Sequence, residues 1–289
     1  MAEQTGHAAV NSAITAPRQE SRYVFGHSAA EVQRLTTQGE VLRPTTERLL
    51  RAAGVGQGAR VLDVGCGAGD VSILAAELVG PTGSVVGIDR NADVIAVANE
   101  RARNAGHRNV TFRHAALEAF TDEASFDCVV DRYLLGHQAD PVDCLRASAG
   151  FLRPQGVIAV HEPDASIRLF NSSPVVPSWN AVGDLLWAAM LQSLPRRDVG
   201  VRMAEHFVNA GLPSPAIFRE ILVSTGEHSL FCRWMAESLG ILQPQLVEMG
   251  IFPTEAVDVE RVESKLRSAA VAARTTLEGP VQVGAWARV

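Results

Sequence analysis

Residues 61–70, VLDVGCGAGD, run from an apolar strand into glycines at 65, 67 and 69. Glycines at a strand-to-helix crossing let the backbone approach a ligand without Cβ interference. The helix that follows aims unpaired N–H groups and a partial positive charge at that ligand. A dinucleotide-binding loop wants its third glycine at G-x-G-x-x-G, where this chain has Asp70. A P-loop needs G-K-[ST] at the helix start, and the sole lysine is Lys265. Asp63, two residues ahead of the first glycine, would repel a pyrophosphate and suits a ligand with a cationic head, or else it braces the loop. Asp89 ends a second apolar run, SVVGID, at the place where an acidic side chain grips ribose hydroxyls.

These residues need a scaffold, and the chain supplies one from about residue 44. PTTERLLRAAG (44–54) reads as a helix that begins at Pro44 and ends at Gly54. RVLDVG (60–65), SVVGID (84–89), NVTFRH (109–114), FDCVVD (126–131) and GVIAVHE (156–162) read as strands. DVSILAAELVG (70–80), NADVIAVANERARNAG (91–106, capped by Asn91) and PVDCLRASAGFL (141–152) read as helices between them. This alternation implies a parallel sheet with crossover helices. After residue 163 it breaks: 164–200 combines a Pro-rich connection with an apolar helix, and 228–275 reads as two or three helices. RMAEHFVNAG (202–211) reads as a helix, with AIFREILVSTG (216–226) and PVQVGAWARV (280–289) as closing strands.

Composition narrows the partners. The 289 residues are 47% hydrophobic with a formal charge of −6, and no run of five basic residues occurs, which argues against nucleic acid. No stretch of about 18 apolar residues and no signal-like N-terminus is present, so a cytoplasmic protein without a membrane partner is expected. Cys66, Cys128, Cys144 and Cys232 are too scattered for a zinc knuckle or a disulfide framework, and no metal is expected.

A cationic amino-acid end at the glycine loop together with a ribose at Asp89 describes S-adenosylmethionine. The sequence resembles the class I S-adenosylmethionine-dependent methyltransferases, in the small-molecule and ubiquinone/menaquinone group. Four segments in order carry the resemblance: VLDVGCGAGD, VVGIDRN (85–91), FDCVVDRYLLGHQADP (126–141) and LRPQGVIAVHEPD (152–164). The flanks 23–38 and 279–289 look like those of an actinobacterial subgroup.

The resemblance implies an α/β, Rossmann-like, doubly wound, mostly parallel seven-stranded sheet with helical lid insertions. It implies a flexible arm at 1–20, an N-terminal helical cap at 21–43 and a cofactor-binding core at 44–163. A helical lid at 164–201 and the rest of the core at 202–289, with a helical insertion at 228–277, complete the expected division. By resemblance, Gly65, Cys66 and Gly67 contact the amino-acid part of the cofactor through backbone. Asp89 binds ribose, Arg90 lies over the adenine or in solvent, and Asp131 accepts from the cofactor ammonium through its carbonyl or its carboxylate. The usual adenine-binding Asp after the third strand is replaced by Ala116, leaving adenine to the backbone of Ala116 and Leu117 or to other groups. LRPQG carries Gln155-Gly156 where the family has a glycine pair.

Methyl transfer is an in-line displacement, so a site need only align the nucleophile, exclude water and, where a proton must leave, provide a base. His137 and His161 follow carboxyl ends of strands and are candidate bases or structural groups, with Glu162 and Tyr133 in the same neighbourhood. Tyr23, Tyr133, Trp187 and Trp234 are candidates for the acceptor's walls, or for core. The expected reaction is transfer to a small apolar or aromatic acceptor, a secondary metabolite or quinone-like compound, with O- or C-methylation favoured. The alternative is a methyltransferase fold that uses its bound cofactor for a non-methylating rearrangement or cyclisation. A small molecule is the only partner required, and a homodimer is compatible with the sequence.

Overall fold

The computed structural model describes residues 29–122, 125–168, 170–194 and 196–289. Five parallel strands form one half of the sheet: β1 (Arg60–Val64), β2 (Ser84–Asp89), β3 (Val110–His114), β4 (Phe126–Arg132) and β5 (Leu152–Pro163). Their spatial order is β3-β2-β1-β4-β5. The order reverses direction between β1 and β4, and in open α/β sheets ligands bind beyond the carboxyl ends of the strands at that switch.

The last strand, β8 (Thr276–Arg288), runs antiparallel beside β5 and carries β7 (Ala216–Thr225) on its other side. An eighth strand, β6 (Asn171–Ser173), is added to the seven that the resemblance implies. It pairs with the first three residues of β8, above the point where β5 leaves off. Three residues with the sequence NSS carry no alternation, which is why this strand has no signature.

Helix α1 spans Ala29–Ala52 without interruption, so the expected boundary at residue 43/44 falls inside it and Pro44 does not begin a helix. Proline removes one intrahelical bond, but Leu42, Thr46, Leu49 and Leu50 are completely buried and hold the helix together through tertiary packing. The crossover helices are α2 (Asp70–Val79), α3 (Ala92–Asn104) and α4 (Pro141–Ala149), and α6 (Met203–Asn209) packs beside α4. Asn91 caps α3, its side chain accepting from the backbone N–H of Asp93 at 2.8 Å and of Val94 at 3.2 Å.

Beyond the carboxyl ends lie α5 (Pro177–Ser193), α7 (Leu230–Glu248) and α8 (Val259–Ala273). They share a core of their own with the middle of α1, built on Leu42, Phe170, Trp179, Met235 and Leu266. Both segments expected as insertions therefore form one helical layer facing the ends of the strands.

Candidate active site

The glycine loop needs its glycines for conformation. Gly65, Gly67 and Gly69 have φ of 69°, 51° and 87°, in the left-handed region that side chains avoid. A Cβ on Gly65 would meet Leu134 Cδ1 at 2.9 Å and one on Gly69 would meet Phe112 Cζ at 2.9 Å, whereas one on Gly67 would meet nothing within 4 Å. The middle glycine thus turns its open side to a cavity of about 200 Å³ at the strand ends.

Asp89 is tied to the same loop. Its Oδ2 accepts from Gly67 N–H at 3.0 Å and its Oδ1 from Asn91 N–H at 2.9 Å, which fixes the carboxylate plane beside the cavity. Asp63 is buried in β1, lines the cavity and accepts from Ser72 Oγ at 2.5 Å, and burial pushes its carboxyl up to about 7. Asp70, where a dinucleotide loop has glycine, begins α2 and pairs with Arg101 at 2.7 Å. Arg101 also donates to Ala68 O at 2.7 Å, so this acid braces the loop.

Gly65, Cys66, Gly67, Asp89 and Arg90 all line the cavity. Asp131 does not. Strand alternation sends its side chain to the α4 face, 1% exposed, where burial and the neighbouring Glu162 and Asp63 hold its carboxyl well above the usual range. Ala116 and Leu117 stand past the end of β3 and are likewise absent from the lining. Leu117 is the first residue of a 3-10 turn, packed against the core that holds Ile88 and Leu135.

The two histidines separate. His161 is fully buried and absent from the lining, with Nδ1 3.0 Å from Thr46 Oγ1 and Nε2 2.9 Å from Gln282 Oε1. Gln282 Oε1 can only accept, so Nε2 carries the proton and Nδ1 accepts from the threonine. Burial and Arg132 hold the ring down at about 3, and it stays neutral. Of the two readings of His161, base or structural group, this geometry supports the second, because both of its nitrogens are spent between α1 and β8. His137 ends a 3-10 turn (Leu135–His137) and does line the cavity. Burial, with Arg90 and Arg34 nearby, brings it down to about 4.

Tyr133 enters the cavity from the end of β4 with φ 58°, a conformation costly for a non-glycine residue and concentrated at functional sites. Its N–H donates to His161 O at 2.8 Å and its hydroxyl to Gln282 Oε1 at 2.9 Å, so the buried histidine network holds this ring in place. Beside it, Glu162 Oε1 accepts from Leu135 N–H at 2.7 Å, and burial pushes this carboxyl up to about 8 despite the backbone donors of residues 134–136.

The cavity's far end is apolar: Phe170, Leu186 and Met190 of the α5 region face Trp234 and Leu242 of α7. Of the two alternatives stated for these residues, wall or core, Trp234 lines the cavity, whereas Trp187 packs against the α5 and α7 core side chains. Tyr23 lies outside the described residues. Sequence reasoning missed Arg34 and Gln38 of α1, both buried and both lining the cavity. Their spacing of four residues was the available signal.

A parallel sheet with a glycine loop after β1 and an acid ending β2 is the arrangement at which doubly wound α/β proteins bind nucleosides. Residues 56–194 match the family model of a methyltransferase domain. A demethylmenaquinone methyltransferase of Listeria welshimeri is 34% identical over 141 residues, 48% of this chain and 55% of that protein. An arsenite methyltransferase of Aquipseudomonas alcaligenes is 35% identical over 120 residues, 39% of this chain and 35% of that one. The chain thus spans about half or less of the length of these curated relatives. The YcgJ protein of Bacillus subtilis shares the fold at a TM-score of 0.54 and 16% identity, over 85% of this chain and 98% of its own. Over residues 56–194 the chain is thus similar to a methyltransferase domain.

Proposed function

We propose that this protein transfers a methyl group to a small apolar or aromatic acceptor of quinone-like or secondary-metabolite type, on carbon or oxygen. The observation that carries this reading is the continuity of one cavity. It runs from the polar glycine loop and Asp89 to the apolar wall of Phe170, Leu186, Met190 and Trp234. The open side of Gly67 and the fixed carboxylate of Asp89 fit a nucleoside with an amino-acid end. When bound, S-adenosylmethionine supplies an electrophilic methyl group on a positively charged sulfur.

The chain's own residues would then bind, align and exclude water. Asp63 and the loop amides receive the amino-acid end, and Asp89 receives the ribose. Tyr133 is held by Gln282 and lines the cavity. His137 is the imidazole in the lining, neutral near pH 7, and is the group we assign to take an acceptor proton.

Menaquinone-type acceptors are suggested by the first relative's name, and the apolar chamber supports them. Arsenite fits less well. Cys66, Cys128, Cys144 and Cys232 are buried in four separate core clusters, and burial pushes their thiols up. Among the described residues no helix is long and apolar enough to cross a membrane. The test is incubation with isotope-labelled S-adenosylmethionine and a panel of hydroquinones and phenols. Label is expected in an organic product with matching formation of S-adenosylhomocysteine. Product formed without cofactor consumption would instead establish the rearrangement reading.

A further inference from the structure

The apolar end of the cavity is interrupted by two polar groups on α7. Trp234, Ser238 and Leu242 all line the cavity, and their spacing of four residues puts them on one face of that helix. Trp234 is 4% exposed, and its Nε1 is buried with no hydrogen-bond partner among the described residues. Ser238, one turn further along and also buried, makes no side-chain hydrogen bond among the described residues. Ring contacts restrain the indole at the wall. Phe170 meets it edge to face with centroids 5.6 Å apart at 76°, and Phe231 at 6.5 Å and 65°.

Chemistry narrows the group that would complete this wall. An indole N–H donates and cannot accept, so its partner must carry a lone pair, and a buried donor without one is costly. Phe170, Leu186 and Leu242 at the same end offer no acceptor from their side chains, and Met190 offers only a weakly accepting sulfur. Trp179 supplies the contrast. Its Nε1 is also unpartnered, but the residue is fully buried in the core and does not line the cavity, so an incoming ligand does not meet it. We propose that Trp234 donates to a carbonyl or hydroxyl oxygen of the methyl acceptor, with the Ser238 hydroxyl as a second contact, so that the chamber selects oxygenated aromatic acceptors over hydrocarbons of the same shape. A site built around such a hydrogen bond rejects an analogue that lacks the oxygen, because the donor is then left unpaired. This assignment rests on the acceptor chamber named in the proposed function.

The test is calorimetric titration of the full chain, saturated with S-adenosylhomocysteine, with 1-naphthol and with 1-methylnaphthalene, in which a methyl group of similar size replaces the hydroxyl. Trp234→Phe removes the N–H and keeps an aromatic ring. It is expected to weaken 1-naphthol about tenfold and to leave 1-methylnaphthalene unchanged. Ser238→Ala, which removes only a hydroxyl, should weaken the same probe selectively. Trp179→Phe, the control for losing an indole from this core, should affect both probes alike. Equal effects on the two probes in Trp234→Phe or in Ser238→Ala, or the same selective loss in Trp179→Phe, would overturn the assignment and leave the methyl-transfer reading standing. A wild-type chain that binds neither probe would overturn the proposed acceptor and this assignment with it.

Discussion

Asp89 holds two backbone N–H groups at once, Gly67 from the loop and Asn91 from the start of α3, and so it orders the cavity wall before any ligand arrives. Charge-assisted bonds of this kind contribute about 1.5–3 kcal/mol each. Asp89→Ala, which loses loop order and ribose contacts together, should weaken S-adenosylhomocysteine binding by more than about a hundredfold in a calorimetric titration. Retained affinity would place the nucleoside elsewhere. His137 gives a separate test. As the proton acceptor it should, when changed to Ala, cost about 10²-fold in kcat with little change in KM, and the acid limb of the pH–rate profile should disappear. An unchanged kcat would mean that alignment alone suffices. At this scale Asp89 and the glycines were legible because each type is demanded by a local turn or strand end. The role of His161 was not, because its partners Thr46 and Gln282 are contributed by α1 and β8, far away in sequence.

The strands and crossover helices emerge from periodicity and caps, and β2 begins and ends where the apolar run does. Elements whose stability comes from tertiary packing are the ones that escaped. Helix α1 runs through Pro44 because its buried face outweighs one lost bond, and β6 exists because β8 offers it an edge. The Gln155-Gly156 departure is a local matter with a measurable cost. Gln155 adopts φ 67° so that its N–H can donate to Val289 O at 2.8 Å, closing β5 on the chain end. A side chain in that conformation costs about 1–2 kcal/mol, partly offset by the greater unfolded freedom of glycine. Gln155→Gly is therefore expected to raise the unfolding free energy by about 0.5–1 kcal/mol in urea titrations, with activity intact. A loss of stability would show that the glutamine side chain makes a compensating contact.

Across the whole molecule, acid groups are drawn inward around the cavity, and this couples stability to pH. Glu162 rises from 4.5 to about 8 because burial outweighs its backbone donors. A carboxyl whose folded pKa is raised binds its proton more tightly in the native state, so its stabilising contribution is fully present below about 4.5 and is lost as pH rises toward 8. Glu162→Gln removes that titration and keeps an acceptor for Leu135 N–H. Relative to the variant, the wild type should lose unfolding free energy steadily across this range, and parallel curves would contradict the assignment. The helical layer covers the same cavity through α5 and α7, so the fold as a whole brings a polar end and an apolar end into one enclosure. That enclosure is the central claim. Calorimetric titration of the wild-type chain with S-adenosylhomocysteine tests it most directly. The account predicts saturable binding at one site per chain, with NADH failing to compete. Absence of heat, or displacement by NADH, would contradict it.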